Sequence, residues 1–255
     1  MNRKRNWIAP CAVIVVLAGL LAACSGGNEA ATTNGGNMQE NHDAAGTVET
    51  PVIAAADEDP APAPTEKEDD SVRALFKLPS GQLSVKPVTK AVVQAFDAPS
   101  CYGAQNDLKW QGEYEAVWEP DKGDTVRIGT FPADFEIVQQ TDKPITMQHF
   151  RFGDTDLLVY VPRYTDCHAL ETYFFGVQDG EAFPVPMVMS DKETWPNIGQ
   201  LPGHLLQVKN GEMIVTGGYA AGQDTIPVYY FRYDAANRVL VLTKTEQAQV
   251  NAIIQ

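Results

Sequence analysis

Tyr173-Phe174-Phe175 and, 56 residues later, Tyr229-Tyr230-Phe231 are the stretches on which the reading of this chain turns. Successive side chains of a strand point to opposite faces of its sheet, so three rings in a row put apolar surface on both sides. Strands of that kind are covered above and below. Both stretches are therefore expected to be core strands, with a ring platform for a stacked ligand as the sharper alternative.

Working outward, the same 56-residue shift lays Leu157-Leu158-Val159 on Met213-Ile214-Val215, the turn at residues 178–181 on 234–237, and residues 183–185 on 239–241. A looser third copy of the last hairpin falls at residues 113–130. The copies share pattern rather than identity, and each reads as a four-stranded antiparallel meander, the shape of a propeller blade. Candidate strands occupy residues 113–118, 125–130, 135–139, 146–152, 157–161, 172–177, 183–189, 205–208, 213–216, 228–233 and 239–243. Asp179-Gly180, Asn210-Gly211, Gly153-Asp154 and residues 234–237 are hairpin turns by composition. Helical periodicity is confined to residues 88–96, opened by Pro87, and to residues 245–254. The expectation for residues 71–255 is an all-β domain of antiparallel, blade-like meanders, either propeller-like or a sandwich, with closure left open.

Ahead of Ser71 the composition changes. Residues 25–70 contain no Phe, Trp or Tyr and carry eleven acidic residues against one basic residue, Lys67. Asp57-Glu58-Asp59-Pro60-Ala61-Pro62-Ala63-Pro64 is an acidic, proline-rich spacer. Such a stretch buries too little to offset backbone ordering, so residues 24–70 are expected to form a disordered tether. Its use would be reach.

The first 23 residues explain what is tethered. Arg3, Lys4 and Arg5 form a basic start, Trp7 to Ala23 form an uncharged apolar run, and the run ends in Leu21-Ala22-Ala23-Cys24-Ser25-Gly26-Gly27. This pattern resembles the signal peptide and lipobox of bacterial lipoproteins. The resemblance covers residues 1–27 and implies removal of residues 1–23, with diacylglycerol and palmitate-type acyl chains on the Cys24 thiol. Two acyl chains hold a protein at a bilayer where one does not. A plain transmembrane anchor is the competing reading, at the short limit of length for a span. The resemblance places the protein on the extracytoplasmic face of the cell membrane, or in the outer membrane and periplasm of a host with two. In that second case Ser25 lacks the Asp that retains some lipoproteins at the inner membrane.

Charge argues against other attachments. The chain has a formal net charge of −14 and no basic stripe. Such a surface repels phosphate backbones and anionic headgroups, which disfavours nucleic acid and leaves acylated Cys24 as the contact with lipid. With Cys11 in the signal and Cys24 acylated, Cys101 and Cys167 remain. Two thiols in an exported chain suggest a disulfide, or else two separate buried thiols.

Chemistry-bearing motifs are few. His149, His168 and His204 have no metal-ligand spacing. Asp166-Cys167-His168 is the densest cluster and reads as a polar loop before it reads as an activated thiol. Gly153-Asp154-Thr155-Asp156 and Asp121-Lys122-Gly123-Asp124 read as turns rather than calcium loops. The glycine-rich residues 217–222 lack the Lys-Ser/Thr ending of a phosphate cradle. No catalytic residue, metal or cofactor is expected.

The repeat makes loops 163–171 and 217–227 equivalent, on one edge of neighbouring sheets. Function sits on such loops over a stiff scaffold. Tyr164, Asp166, His168, Tyr219, Gln223 and Asp224 are therefore the candidate interaction edge, facing another envelope protein or a cell-wall component. The competing functions are an envelope-directed hydrolase of cell-wall glycan or peptide, using Asp166 and His168, and a solute-binding lipoprotein of a transporter.

Overall fold

The computed structural model describes residues 66–166 and 168–253, and for residues 164–166 the backbone alone. The expectations for the signal, Cys24 and the tether up to residue 65 fall outside the described residues. The chain first forms β1 (Lys67–Asp69), β2 (Ala74–Leu78), β3 (Gly81–Pro87), β4 (Ala91–Ala95), β5 (Leu108–Gln111), β6 (Tyr114–Pro120), β7 (Val126–Thr130), β8 (Glu136–Gln139) and β9 (Ile145–Thr146). It continues with β10 (Gln148–Phe152), β11 (Thr155–Tyr160), β12 (Tyr164–Asp166), β13 (Ala169–Gln178), β14 (Glu181–Pro184), β15 (Met187–Ser190), β16 (Glu193–Trp195) and β17 (Asn197–Gln200). Last come β18 (Gln207–Lys209), β19 (Glu212–Thr216), β20 (Thr225–Asp234), β21 (Val239–Gln249) and the single turn α1 (Val250–Ile253).

The described domain is all-β, in four sheets. The first has the order β1-β4-β5-β8 and the second β7-β6-β3-β2-β9. The third is built around β13, which pairs with β11 and β12 along one edge and with β14 and β17 along the other. The fourth has the order β16-β15-β21-β20-β19-β18. Pairing is antiparallel except for two short parallel contacts, β2 with β9 and β15 with β21.

The third sheet is a middle layer, and β13 shows why. Tyr173, Phe175 and Val177 enter a core shared with the first two sheets, where Leu83, Trp110, Trp118 and Ile137 are buried. Phe174 points the other way, into a second core with Met187, Met213, Val215, Phe231 and Leu240 of the fourth sheet. Burying one such ring stabilises the fold by roughly 1.5–3 kcal/mol. Coverage on both sides therefore holds for Tyr173-Phe174-Phe175. It fails for Tyr229-Tyr230-Phe231. Phe231 and Tyr229 pack in the second core, but the Tyr230 hydroxyl donates to Glu246 at 2.6 Å and Lys244 lies over its ring at 5.1 Å. The fourth sheet has one core face and one polar face.

Two antiparallel meanders follow the 56-residue shift: β10-β11-β13-β14, with the short β12 folded back beside β13, and β18-β19-β20-β21. By contrast, β2-β3-β6-β7 is an antiparallel run interrupted between β3 and β6 by β4 and β5 of the first sheet. The expected third copy at residues 113–130 is the β6–β7 hairpin. The 56-residue shift superposes β13 on β20 end to end. Register does not follow. Leu158 faces Phe175, yet Ile214 faces Tyr230 rather than Phe231. A slip of one residue turns a strand over, which is why Tyr230 lies on the outer face although its counterpart Phe174 is buried. Asp179 and Gly180, like Asn210 and Gly211, both have positive φ, as two-residue hairpin turns require.

Several local expectations are corrected. Residues 88–96 do not form a helix: β4 runs through them, with Ala91 and Val93 buried and Val92 and Gln94 less so, a period of two that β-branched residues favour. Residues 245–249 are strand, because the β20–β21 hairpin extends to the pair Thr225–Gln249, leaving only α1 as helix. Lys67–Asp69, placed by composition in the tether, forms β1. The single strand expected at 183–189 breaks at Val185-Pro186. There the chain leaves the third sheet for the fourth, held by Val185 N donating to Phe174 O and Leu240 N donating to Pro186 O. It returns to the third sheet as β17, then crosses again to complete the fourth.

Candidate interaction edge

The β12 strand folds back on the start of β13, with Tyr164 opposite Leu170 and Asp166 opposite Ala169. The side chains of Tyr164 and Asp166, and Cys167 altogether, lie outside the described residues. The stem of this hairpin is fixed by charge. Arg163 donates through Nε to Glu171 and through Nη1 to Glu136, both at 3.1 Å, and Lys109 reaches Glu136 at 3.3 Å. Glu171, only 7% exposed, also accepts from the Tyr173 hydroxyl, to which Asn197 Nδ2 donates at 3.1 Å. Burial, and next the Glu171 carboxylate, keep that phenol protonated well above the ordinary tyrosine range. The network ties the hairpin on the third sheet to β5 and β8 of the first.

The opposing loop follows β19. Gly217 N donates to Pro227 O at 2.8 Å and Gly218 N to Gly199 O at 3.1 Å, which sews the loop to β17. A Cβ on Gly218 would lie 2.4 Å from Ala169 Cβ and 3.0 Å from His168 O, so only glycine allows this approach. The approach sets the rings of His168 and Tyr219 against each other, centroids 4.4 Å apart and tilted by 40°. Gly218→Val is expected to cost about 1–3 kcal/mol through overpacking. It should also part the two rings, seen as loss of the ring-current shifts of His168 and Tyr219 in proton spectra.

Beyond Tyr219 the loop closes on itself. Ala220 N donates to Gln223 Oε1 at 2.8 Å and Gln223 N to Ala220 O at 3.1 Å, while Val250 N donates to Asp224 O at 2.9 Å. Tyr219, Gln223 and Asp224 line a cleft of about 720 Å³ with Thr225, Gln249, Val250 and Asn251. Of the six residues read as an edge, His168, Tyr219, Gln223 and Asp224 thus gather from two loops. Sequence reasoning missed Thr225, which opens β20 at the edge of loop 217–227. It also missed Gln249 and Asn251, because the end of the chain reads as one helix whereas Gln249 ends β21 and only the last turn, with Asn251, is helical.

The remaining candidates are scattered. His149 Nε2 lies 2.8 Å from Asp156 Oδ1 on β10 and β11, where Arg151 also reaches that carboxylate at 3.6 Å. His204 sits in the turn after β17, its carbonyl accepting from Gln200 Nε2. Residues 153–154 and 121–124 are turns between β10 and β11 and between β6 and β7. Among the described residues no three His, Cys, Asp or Glu side chains are grouped to hold a metal ion, and no helix is long and apolar enough to cross a membrane. No family model matches the chain, and no curated protein or solved structure is significantly similar to it.

Proposed function

We propose that this protein is a lipid-anchored extracytoplasmic binding module. Cys24 carries the acyl chains, residues 25–65 supply reach, and the β-rich domain presents the His168–Tyr219 edge to a component of the cell envelope. The lipobox pattern Leu21-Ala22-Ala23-Cys24 supports the anchor. The observation that carries the binding half is the seat of Gly218 on Ala169, which joins loops from two sheets into one surface. A rigid scaffold with converging loops is the usual setting for recognition. A disulfide between Cys101 and Cys167 belongs to the same reading. Cys101 lies in the turn bridged by Ser100 and Gly103, and Arg163, four residues before Cys167, stacks at 5.8 Å on the adjacent Tyr102.

Intact-mass measurement on the natively expressed product tests the anchor. The expected species begins at Cys24, carries diacylglyceryl and acyl mass, and sediments with membranes, whereas Cys24→Ala carries no acyl mass. A product still bearing Met1, or one trimmed but unacylated, overturns the anchor. The binding half is tested by co-sedimentation of the chain with purified envelope fragments, which Gly218→Val should abolish.

A further inference from the structure

The geometry points to the cleft beside Tyr219 as a binding site for neutral saccharide chains. The inference rests on the binding-module reading and names the class of ligand its edge would take. The lining combines one aromatic ring with a ring of short polar side chains: Tyr219, Gln223, Asp224, Thr225, Gln249 and Asn251. Among the described residues Asp224, Thr225, Gln249 and Asn251 make no side-chain hydrogen bond, and of the Gln223 amide only Oε1 is taken.

That inventory has a definite chemical complement. An ionised carboxylate only accepts, an amide both donates and accepts, and a hydroxyl does either. A ligand that satisfies such a set must offer donors and acceptors together at close spacing, as the hydroxyls of a sugar do. The apolar C–H face of a pyranose fits against an aromatic wall, and Tyr219 is held in place by His168 at 4.4 Å. The cleft volume of about 720 Å³ falls within the range of sites for small and medium ligands.

Other ligand classes fit less well. Among the described residues no Lys or Arg lines the cleft, Asp224 does, and the chain carries −14, so phosphates, sulfates and uronates are repelled. A wholly apolar ligand would strip water from the amides of Gln249 and Asn251 without replacing their hydrogen bonds, which costs free energy for each. The site is also preorganised. The Ala220–Gln223 turn and the Val250–Asp224 bond fix the backbone under the polar groups, so little ordering is left to oppose binding.

Saturation-transfer NMR on the full-length chain in detergent micelles, with tri-N-acetylchitotriose, cellotriose, maltotriose and trigalacturonic acid as probes, tests the assignment. At least one neutral trisaccharide is expected to bind, and trigalacturonic acid is not. Tyr219→Ala and Asp224→Asn should each weaken that binding by roughly tenfold or more, with thermal melting unchanged for either variant. Absence of binding by all three neutral probes overturns the assignment, as does equal binding of the acidic one or binding indifferent to both variants. Envelope co-sedimentation separates the two levels. If Gly218→Val abolishes co-sedimentation while no saccharide binds, the saccharide assignment falls and a protein partner takes its place. If the chain does not co-sediment at all, the binding-module reading falls as well.

Discussion

Replacing Arg73 with alanine is expected to destabilise the domain by about 3–5 kcal/mol, read as a lower urea midpoint at unchanged slope. The guanidinium is 1% exposed, stacks 4.3 Å above the Trp110 ring, and donates to Ser71 and, at 2.8 Å, to Asp142 O. It also lies 3.9 Å from the Asp69 carboxylate at the end of β1, which accepts from Trp110 Nε1 at 2.6 Å. Alanine removes the charge, the stacking and the donors together, and leaves a void beside Trp110. Arg73→Met, which keeps apolar volume over the indole, should lose less than alanine does. A pH dependence follows from the same knot. Burial pushes the Asp69 carboxyl up, but hydrogen bonds from Ser71 and Trp110, with the Arg73 charge, outweigh it and hold the group below its usual range. An unfolded aspartate titrates near about 4. Ionised Asp69 thus contributes stability above that pH, and the contribution disappears as pH falls through the lower folded value. The acid limb of the stability curve should be shallower in Arg73→Ala.

Phe174→Ala should lose about 3–5 kcal/mol, while Tyr230→Ala, at the position equivalent by the 56-residue shift, should lose no more than about 1 kcal/mol. The difference arises from layering. Phe174 is 2% exposed and fills the second core from the middle sheet, so its removal opens a cavity between two rigid layers. Tyr230 offers a hydrogen bond to Glu246 and a ring to Lys244 on a polar face, and water replaces both. Chemical denaturation of the two variants side by side measures the contrast. Equal losses would mean that both faces of the fourth sheet are covered.

Alternation and turn chemistry are local, which is why the strands beyond residue 113 and the hairpins at Asp179-Gly180 and Asn210-Gly211 are legible in the sequence. β1 to β5 are less so: Lys67–Asp69 is charged, and residues 88–96 hold apolar side chains at spacings that suit either period. Sheet membership is not local at all. Nothing in residues 183–189 announces that Phe183 and Met187 belong to different sheets, since proline at 184 and 186 marks a break but not a destination. The one-residue slip between β13 and β20 is similarly hidden, because pattern reports faces only relative to a partner strand. At the edge, the repeat brings loops 163–171 and 217–227 together on paper, and His168 does meet Tyr219. Gly218 was visible as half of a Gly-Gly pair, but the reason for it, the methyl of Ala169, comes from another sheet.

The path of the chain after β14 has a consequence for inheritance. Because it goes out to the fourth sheet, back to β17 and out again, the last hundred or so residues are laced like a boot. No cut between β10 and β21 yields two pieces that each keep a finished layer. Recombination that splits this block is therefore expected to leave at least one sheet incomplete, so the block is expected to pass between genes only whole.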